Sequence, residues 1–129
     1  KDLPFFSTFA ENQIDQILSA CDLAKVEKDE TIIQEGEIDD SFYILISGQV
    51  LVQSGSEEVA VLEKGQCFGE MAYLTGAARS ATIITKEECI LLKFSSTLLN
   101  GLSEDIQLLF FKNFTRTIIE RLSKGATKT

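Results

Sequence analysis

Three side chains between residues 70 and 80 have the types and the spacing to bind a small anionic ligand. Glu70 follows a glycine at the expected start of a short helix, and Arg79 and Ser80 lie beyond the end of that helix. A helix N-terminus presents unpaired N–H groups and a partial positive charge, both of which favour phosphate. The guanidinium of Arg79 can donate two hydrogen bonds to phosphate oxygens. An ionised Glu70 only accepts hydrogen bonds, which suits a sugar hydroxyl.

Each of these residues also has a simpler interpretation when it is taken alone. Arg79 could be a surface arginine, Glu70 a solvated carboxylate, and Ser80 a turn hydroxyl that bonds its own backbone. Their occurrence together around one short helix favours ligand binding over these alternatives. The segment therefore predicts a site for a singly charged phosphodiester that carries a ribose.

Composition places the chain among ordinary globular domains and disfavours two classes of partner. It has 129 residues, of which 44% are hydrophobic and 25% charged, enough for one domain with a proper core. The net charge of −8 repels polyanions, so we expect no nucleic-acid partner for this segment. The apolar runs are too short to cross a bilayer, and no secretory signal is visible. We expect a cytoplasmic segment without a membrane partner.

The cysteines do not predict a metal site. Cys21, Cys67 and Cys89 are widely spaced, and the chain contains no histidine. We expect three buried free thiols, which fits a reducing compartment. Nothing in the sequence resembles a nucleophile elbow or a Gly-Lys-Ser/Thr phosphate loop, so an enzyme is disfavoured and no metal or cofactor is expected.

The pattern of apolar residues and turn signals along the chain predicts a β-rich central region flanked by helices. The expected helix at 11–21 buries one face formed by Ile14, Ile17, Leu18 and Cys21. Short β-rich runs separated by turn signals predict an all-β barrel or double-sheet roll; they cover 23–26, 31–34, 42–46, 50–53, 59–62, 81–85 and 90–93. A short helix at 70–74 interrupts the barrel.

Two helices are expected after the barrel. Ser95 caps a short helix that Gly101 ends, and a long helix follows from 103 to 124. The long helix carries an apolar stripe that Phe111 and Ile119 widen; the stripe consists of Ile106, Leu109, Phe110, Phe114, Ile118 and Leu122. The single domain, 1–129, thus divides into a helical segment at about 1–22, a barrel at about 23–94 and C-terminal helices at about 95–124.

Two motifs resemble the cyclic nucleotide-binding domain family, of the catabolite activator protein and protein kinase A regulatory subunit type. The sequence Phe-Gly-Glu at 68–70 with Arg-Ser-Ala at 79–81 is similar to the family's phosphate-binding cassette, and 35–50 is similar to its early barrel strands. The resemblance implies a mainly β fold, a double-stranded β-helix (jelly-roll) barrel with an N-terminal helix and a long C-terminal helix.

The resemblance also implies a role for individual residues. Glu70 would hold the ribose 2′-hydroxyl and Arg79 the cyclic phosphate. The N–H of Ala72 and the N–H and hydroxyl of Ser80 would complete the set of phosphate contacts. The expected ligand-binding residues are Phe68, Gly69, Glu70, Met71, Ala72, Arg79, Ser80 and Ala81. Arg121 and Leu122 on the last helix are the expected lid over the base.

The chain departs from the family pattern at two turns. Ala77 and Ala78 precede Arg79, where many members carry proline at the second position. Ile38 and Asp39 replace the usual Pro-Gly of the early turn. We interpret Asp39 and Asp40 as turn residues that support Arg79 from across the barrel.

The function implied by the resemblance is a regulatory sensor that binds a 3′,5′-cyclic nucleotide without chemistry. Cyclic AMP is favoured, because Arg-Ser-Ala is more similar to the bacterial activators. The last helix would relay binding and could pair two subunits into a homodimer. Two alternatives stay open: a family member that keeps the fold but has lost ligand binding and acts as an interaction or dimerisation module, and the sensor half of a transcription regulator.

Overall fold

The computed structural model describes residues 6–123, and side chains within it up to residue 120. The elements follow in the order α1 (Glu11–Ala20), β1 (Asp22–Val26), β2 (Thr31–Ile33), β3 (Phe42–Ser47), β4 (Val50–Ser54), β5 (Glu57–Leu62), β6 (Cys67–Phe68), α2 (Glu70–Thr75), β7 (Thr82–Thr85), β8 (Cys89–Phe94), α3 (Ser96–Asn100) and α4 (Glu104–Ser123). No helix in this part of the chain combines the length and the apolarity that crossing a bilayer requires.

The strands form two antiparallel four-stranded sheets with a jelly-roll order. The first sheet has the order β1-β8-β3-β6 and the second the order β2-β7-β4-β5, so neighbours in space are mostly distant in sequence. The predicted mainly β fold, a double-stranded β-helix (jelly-roll) barrel with flanking helices, is confirmed. Its N-terminal helix, α1, is short at 10 residues, and α4 is long at 20 residues.

The inner strands of the first sheet, β3, β6 and β8, are buried on both faces and separate two hydrophobic cores. Along β3, Phe42 and Ile44 point to a core shared with the helices. The alternate residues Tyr43 and Leu45 point to the core between the two sheets. This alternation follows from the two-residue period of a strand, and it explains why β3 reads as a continuous apolar run.

Helix α4 packs its buried side against the helical core. Ile106, Phe110 and Phe114 have no exposed surface. The ring of Phe114 contacts Phe42 of β3 at 4.8 Å and Tyr73 of α2 at 6.0 Å, measured between ring centroids. The long helix is thus in direct contact with the short helix α2.

The predicted strands agree with the structure to within two residues at each end, with one addition. Strand β6 was not predicted, because two residues are too few to show an alternation. The caps at Ser95 and Gly101 are confirmed, since the Ser95 hydroxyl accepts a bond from the N–H of Leu98.

Two burial predictions for the α1 region are wrong. Leu18 was expected on the buried face but is 49% exposed, whereas Ile14 and Ile17 are buried. Cys21 is only half-buried, while Cys67 and Cys89 are buried, and all three are free thiols. The buried face of α1 is therefore narrower than its apolar pattern indicates.

Candidate functional site

A cavity of about 340 Å³ lies between α2, the segment that follows it and the interior of the second sheet. Its apolar wall is formed by Ile33, Val52, Leu62 and Ile83, which come from four different strands. The cavity is also lined by the predicted ligand-binding residues Phe68, Gly69, Glu70, Met71, Ala72, Arg79, Ser80 and Ala81. The fold therefore brings all of these predicted residues to one concave surface of a size typical for a small ligand.

Arg79 is the buried cation of this cavity. Its side chain is 4% exposed. Nη1 donates to the backbone oxygen of Gly69 at 3.0 Å, and Nη2 donates to the backbone oxygen of Ser41 at 2.6 Å. A guanidinium has five N–H donors, so these two bonds leave capacity for two oxygens of a ligand.

The turn between β2 and β3 holds the backbone of Arg79 in place. The N–H of Arg79 donates to the oxygen of Glu37 at 2.8 Å, and the N–H of Gly36 donates to the oxygen of Arg79 at 2.8 Å. Gly36 has a φ of +90°, which only glycine adopts readily. The two sequence motifs are thus joined in space at the arginine.

Asp39 faces Arg79 from this turn, as predicted, and both Asp39 and Asp40 are exposed residues. Asp39 Oδ1 lies 3.9 Å from Arg79 Nη2 and accepts a hydrogen bond from the N–H of Ser41 at 3.0 Å. The bond from Ser41 is the main cause that lowers the pKa of Asp39 below its usual range; burial opposes this, and the charge of Arg79 adds to it.

Gly69 is required by the packing of the site. Its φ is +85°, and a Cβ built there would lie 3.0 Å from Arg79 Nη1 and 3.0 Å from the Ser41 oxygen. A side chain would therefore displace the guanidinium. Gly69 is also the N-cap of α2, and it has no side chain to accept bonds from the first N–H groups of the helix.

Glu70 begins α2 and is 1% exposed. A carboxylate in the first turn interacts favourably with the helix dipole. The thiol of Cys67 lies 3.9 Å from Glu70 Oε1 and 4.0 Å from the hydroxyl of Thr117 on α4. Cys67 therefore lies between the cavity and the long helix.

The other predicted residues differ in what they offer a ligand. Phe68 and Ala72 are buried, and the Phe68 ring stacks on Tyr43 at 5.2 Å. Met71 and Ser80 are exposed, and Ala81 is half-buried. Met71 and Ser80 are thus the most exposed of the predicted ligand-binding residues.

The predicted lid lies outside the residues whose side chains the structure describes. Arg121 and Leu122 belong to the last turn of α4, and only their backbone is described. The nearest described member of the stripe, Ile118, is half-buried.

Sequence reasoning missed the apolar wall and the backbone anchors of Arg79. The wall residues sit on strands whose alternation predicts an inward side chain but not which end of the barrel holds a cavity. The anchoring oxygens of Ser41, Gly69 and Glu37 belong to the main chain, which every residue carries, so no residue type marks them.

Comparison with known proteins decides the family. The family model for the cyclic nucleotide-binding domain matches residues 23–105. The chain belongs to this family. Both motifs of the cyclic nucleotide-binding domain, at 35–50 and 68–81, lie inside the matched region, and the predicted family and regulatory class are confirmed.

Relatives of this cyclic nucleotide-binding domain include proteins named for either cyclic nucleotide. The chain is 36% identical over 116 residues to the cGMP-dependent protein kinase of Plasmodium berghei, covering 90% of this chain and 14% of the kinase. It is 33% identical over 88 residues to the cAMP-dependent protein kinase regulatory subunit of Hypocrea atroviridis, covering 68% and 19% respectively. The chain thus spans only a small part of either relative.

The fold matches a bacterial regulator closely. The Thermus thermophilus catabolite activator protein superposes with a TM-score of 0.83 at 25% identity, over 97% of this chain and 61% of that one. The barrel and the long helix are therefore shared with a protein that has a further region.

Proposed function

We propose that this domain binds a 3′,5′-cyclic nucleotide in the cavity and releases it unchanged. Arg79 holds the cyclic phosphate, and Glu70 accepts a hydrogen bond from the ribose 2′-hydroxyl. The N–H groups of Ala72 and Ser80 complete the phosphate cradle. One observation carries the proposal: a buried arginine and a buried glutamate both line one cavity that is otherwise largely apolar.

Burial of Arg79 is costly unless its charge has a partner. An arginine at this level of burial normally requires paired or hydrogen-bonded surroundings. Its two described bonds go to neutral carbonyl groups, and Asp39 lies at 3.9 Å and is half-exposed. A bound anion would supply the short charge-assisted bonds that such a guanidinium favours.

The apolar wall supports adenine as the base. Guanine presents an oxygen acceptor and an amino donor at its edges, whereas adenine presents one amino group besides its ring nitrogens. A polar group that enters an apolar wall without a partner costs free energy. The wall formed by Ile33, Val52, Leu62 and Ile83 therefore favours cyclic AMP.

Cyclic GMP is the second candidate, because three relatives at 34–36% identity are named cGMP-dependent protein kinases. Side-by-side calorimetric titration decides between the two ligands. A tenfold tighter binding of cyclic GMP, about 1.4 kcal/mol, would overturn the preference for cyclic AMP.

Replacement of Arg79 tests the phosphate contact. Arg79→Leu should weaken cyclic AMP binding by about 2–5 kcal/mol, roughly 30- to 5,000-fold, because a buried charge-assisted contact is lost. Arg116→Leu, a change at an exposed arginine of α4, is the matched control and should keep the parental affinity.

Two outcomes of these titrations would contradict the proposal. If folded Arg79→Leu binds as tightly as the parent, Arg79 does not hold the phosphate. If the parent binds neither nucleotide at millimolar concentration, the chain has kept the fold and lost the ligand, and it acts as an interaction module.

The proposed output passes through α4. The cassette touches this helix at Tyr73, whose ring contacts Phe114, and through Cys67, which lies against Thr117. A ligand moves a helix only if it binds one of the helix positions more tightly. Arg121 and Leu122 are the proposed lid residues that make this difference.

The long helix also supports the proposal of a homodimer. Besides its buried side, α4 exposes Leu108, Phe111 and Ile119, at 55%, 42% and 58%. Leu108 and Ile119 are about three turns apart and share a face with Phe111. A second copy of this chain would cover that stripe. The net charge of −8 supports the absence of a nucleic-acid partner, and the free thiols support a cytoplasmic location.

A further inference from the structure

Asp39 lies behind Arg79 and is not one of the residues that line the ligand cavity. Its Oδ1 is 3.9 Å from Arg79 Nη2, and its side chain is 48% exposed. The N–H of Ser41 donates to the same oxygen at 3.0 Å, and this bond lowers the pKa of Asp39. The carboxylate is therefore charged at neutral pH, and it can act on a ligand only through space.

The position of Arg79 does not depend on this carboxylate. The guanidinium donates to the oxygens of Gly69 and Ser41. The backbone N–H of Arg79 donates to the oxygen of Glu37, and the backbone oxygen of Arg79 accepts a hydrogen bond from the N–H of Gly36. These four hydrogen bonds are shorter than the contact with Asp39, so the direct effect of Asp39 on the guanidinium is that of its negative charge.

A negative charge beside Arg79 reduces the attraction that the guanidinium exerts on an anion. A phosphate that accepts hydrogen bonds from Arg79 lies well within the Debye length of about 10 Å at 0.1 M salt, so it also feels Asp39. Coulomb energy is proportional to the charge of the ligand. A ligand with two negative charges is therefore disfavoured about twice as much in free energy as a ligand with one.

We propose that Asp39 sets the charge selectivity of the site, favouring a cyclic phosphodiester over an acyclic phosphate monoester. A cyclic phosphodiester carries one negative charge, whereas a phosphate monoester carries about −1.5 to −2 at pH 7. The inference rests on the proposed function of the same cavity. Asp39 belongs to the turn between β2 and β3, so this turn supplies the charge.

Titration of cyclic AMP and 5′-AMP into the parent and Asp39→Asn tests the proposal. Asparagine keeps an oxygen that can accept the bond from Ser41 and removes only the charge. Relative to the parent, we expect Asp39→Asn to bind cyclic AMP about threefold more tightly and 5′-AMP about tenfold more tightly. These changes correspond to about 0.7 and about 1.4 kcal/mol of binding free energy. The ratio of the two affinities should therefore narrow about threefold. A purely structural role for Asp39 would move both ligands equally.

Two further measurements keep the test decisive. Asp39→Ser also removes the charge and keeps an oxygen acceptor, so it should narrow the ratio if Asp39→Asn does not fold. Asp15→Asn, the same change at an exposed residue of α1, should leave the ratio unchanged. Raising the salt concentration from about 0.1 M to about 1 M shortens the Debye length to about 3 Å. The difference in ligand affinity between the parent and Asp39→Asn should therefore become smaller.

The outcomes separate this inference from the proposed function. If the parent binds cyclic AMP but both Asp39 variants keep or widen its preference over 5′-AMP, the selectivity role is wrong and the proposed function stands. If the parent binds no cyclic nucleotide, both are wrong.

Discussion

At the scale of single residues, the close approach of Gly69 and Arg79 leaves little room for a methyl group. The φ of Gly69 is +85°, and a Cβ there would meet Arg79 Nη1 and the Ser41 oxygen, both at 3.0 Å. The site thus depends on a residue that contributes no side chain to it. The glycine fixes how closely the guanidinium approaches the start of α2.

Gly69→Ala should impair both stability and binding. The left-handed backbone costs an alanine about 1–2 kcal/mol, and displacement of the guanidinium should weaken cyclic AMP binding at least tenfold. Gly76→Ala is the matched control, because Gly76 has a φ of +71° and nothing within 4 Å of its Cβ position. Urea denaturation should show a similar strain in both variants, and calorimetry should show weaker binding only for Gly69→Ala. Equal affinities of the two variants would contradict the proposed role of the contact.

At the scale of secondary-structure elements, an aromatic cluster connects the long helix to the cassette helix. Phe114 of α4 lies 4.8 Å from the ring of Phe42 on β3 and 6.0 Å from Tyr73 on α2. Phe111, less than one turn away, is 42% exposed, and its ring lies 6.1 Å from Tyr73. Three residues apart, the two phenylalanines are neighbours on the helix surface, with Phe114 on the buried face and Phe111 at its partly exposed edge.

Replacing each of these two phenylalanines by alanine should lower the free energy of unfolding by different amounts. Phe114→Ala should lower the free energy of unfolding by about 3–5 kcal/mol, because it removes a fully buried ring and leaves a cavity. Phe111→Ala should lower the free energy of unfolding by about 1 kcal/mol, since much of the Phe111 side chain is already exposed to solvent. Urea denaturation of the monomer at low protein concentration measures both. Similar losses for the two variants would show that α4 does not pack as described.

At the scale of the whole molecule, the exposed stripe of α4 is the surface proposed to pair two copies. Leu108, Phe111 and Ile119 are exposed apolar side chains on one face of α4. Exposed apolar surface of this kind often marks an interface. The family's shared fold with a bacterial regulator does not by itself determine the oligomeric state of this chain.

Light scattering over a range of concentrations should show a dimer that dissociates on dilution. Ile119→Asp should make the chain monomeric, because a carboxylate placed in the apolar contact loses its water. Leu23→Asp, at an exposed leucine of β1, is the control and should leave the dimer intact.

Hydrogen exchange of α4 should slow when cyclic AMP binds, if the helix relays binding. A parent protein that is monomeric at every concentration would refute the proposed dimer. If the hydrogen-exchange rate of α4 is the same with and without cyclic AMP, the proposed role of α4 in signal transmission is wrong.

The sequence by itself determined the local features of this domain. The turn signals and β-rich runs predicted seven of the eight strands, because a strand's alternation and its flanking turn residues are properties of neighbouring positions. The spacing of Glu70 and Arg79 around one short helix predicted one shared site, and both residues line the same cavity. Both predictions depend on chemistry that operates within a few residues of the chain.

Only the tertiary structure decided how distant segments complete the cavity. Asp39 faces Arg79, and the oxygens of Ser41 and Gly69 anchor its guanidinium, because β3, α2 and β7 meet at one end of the barrel. Burial was decided in the same way, since Leu18 is apolar and yet exposed. An apolar pattern shows which faces can be buried, but only the packing of sheet and helices selects which of them are. Main-chain oxygens are present at every residue, so only the fold determines which ones meet a charge.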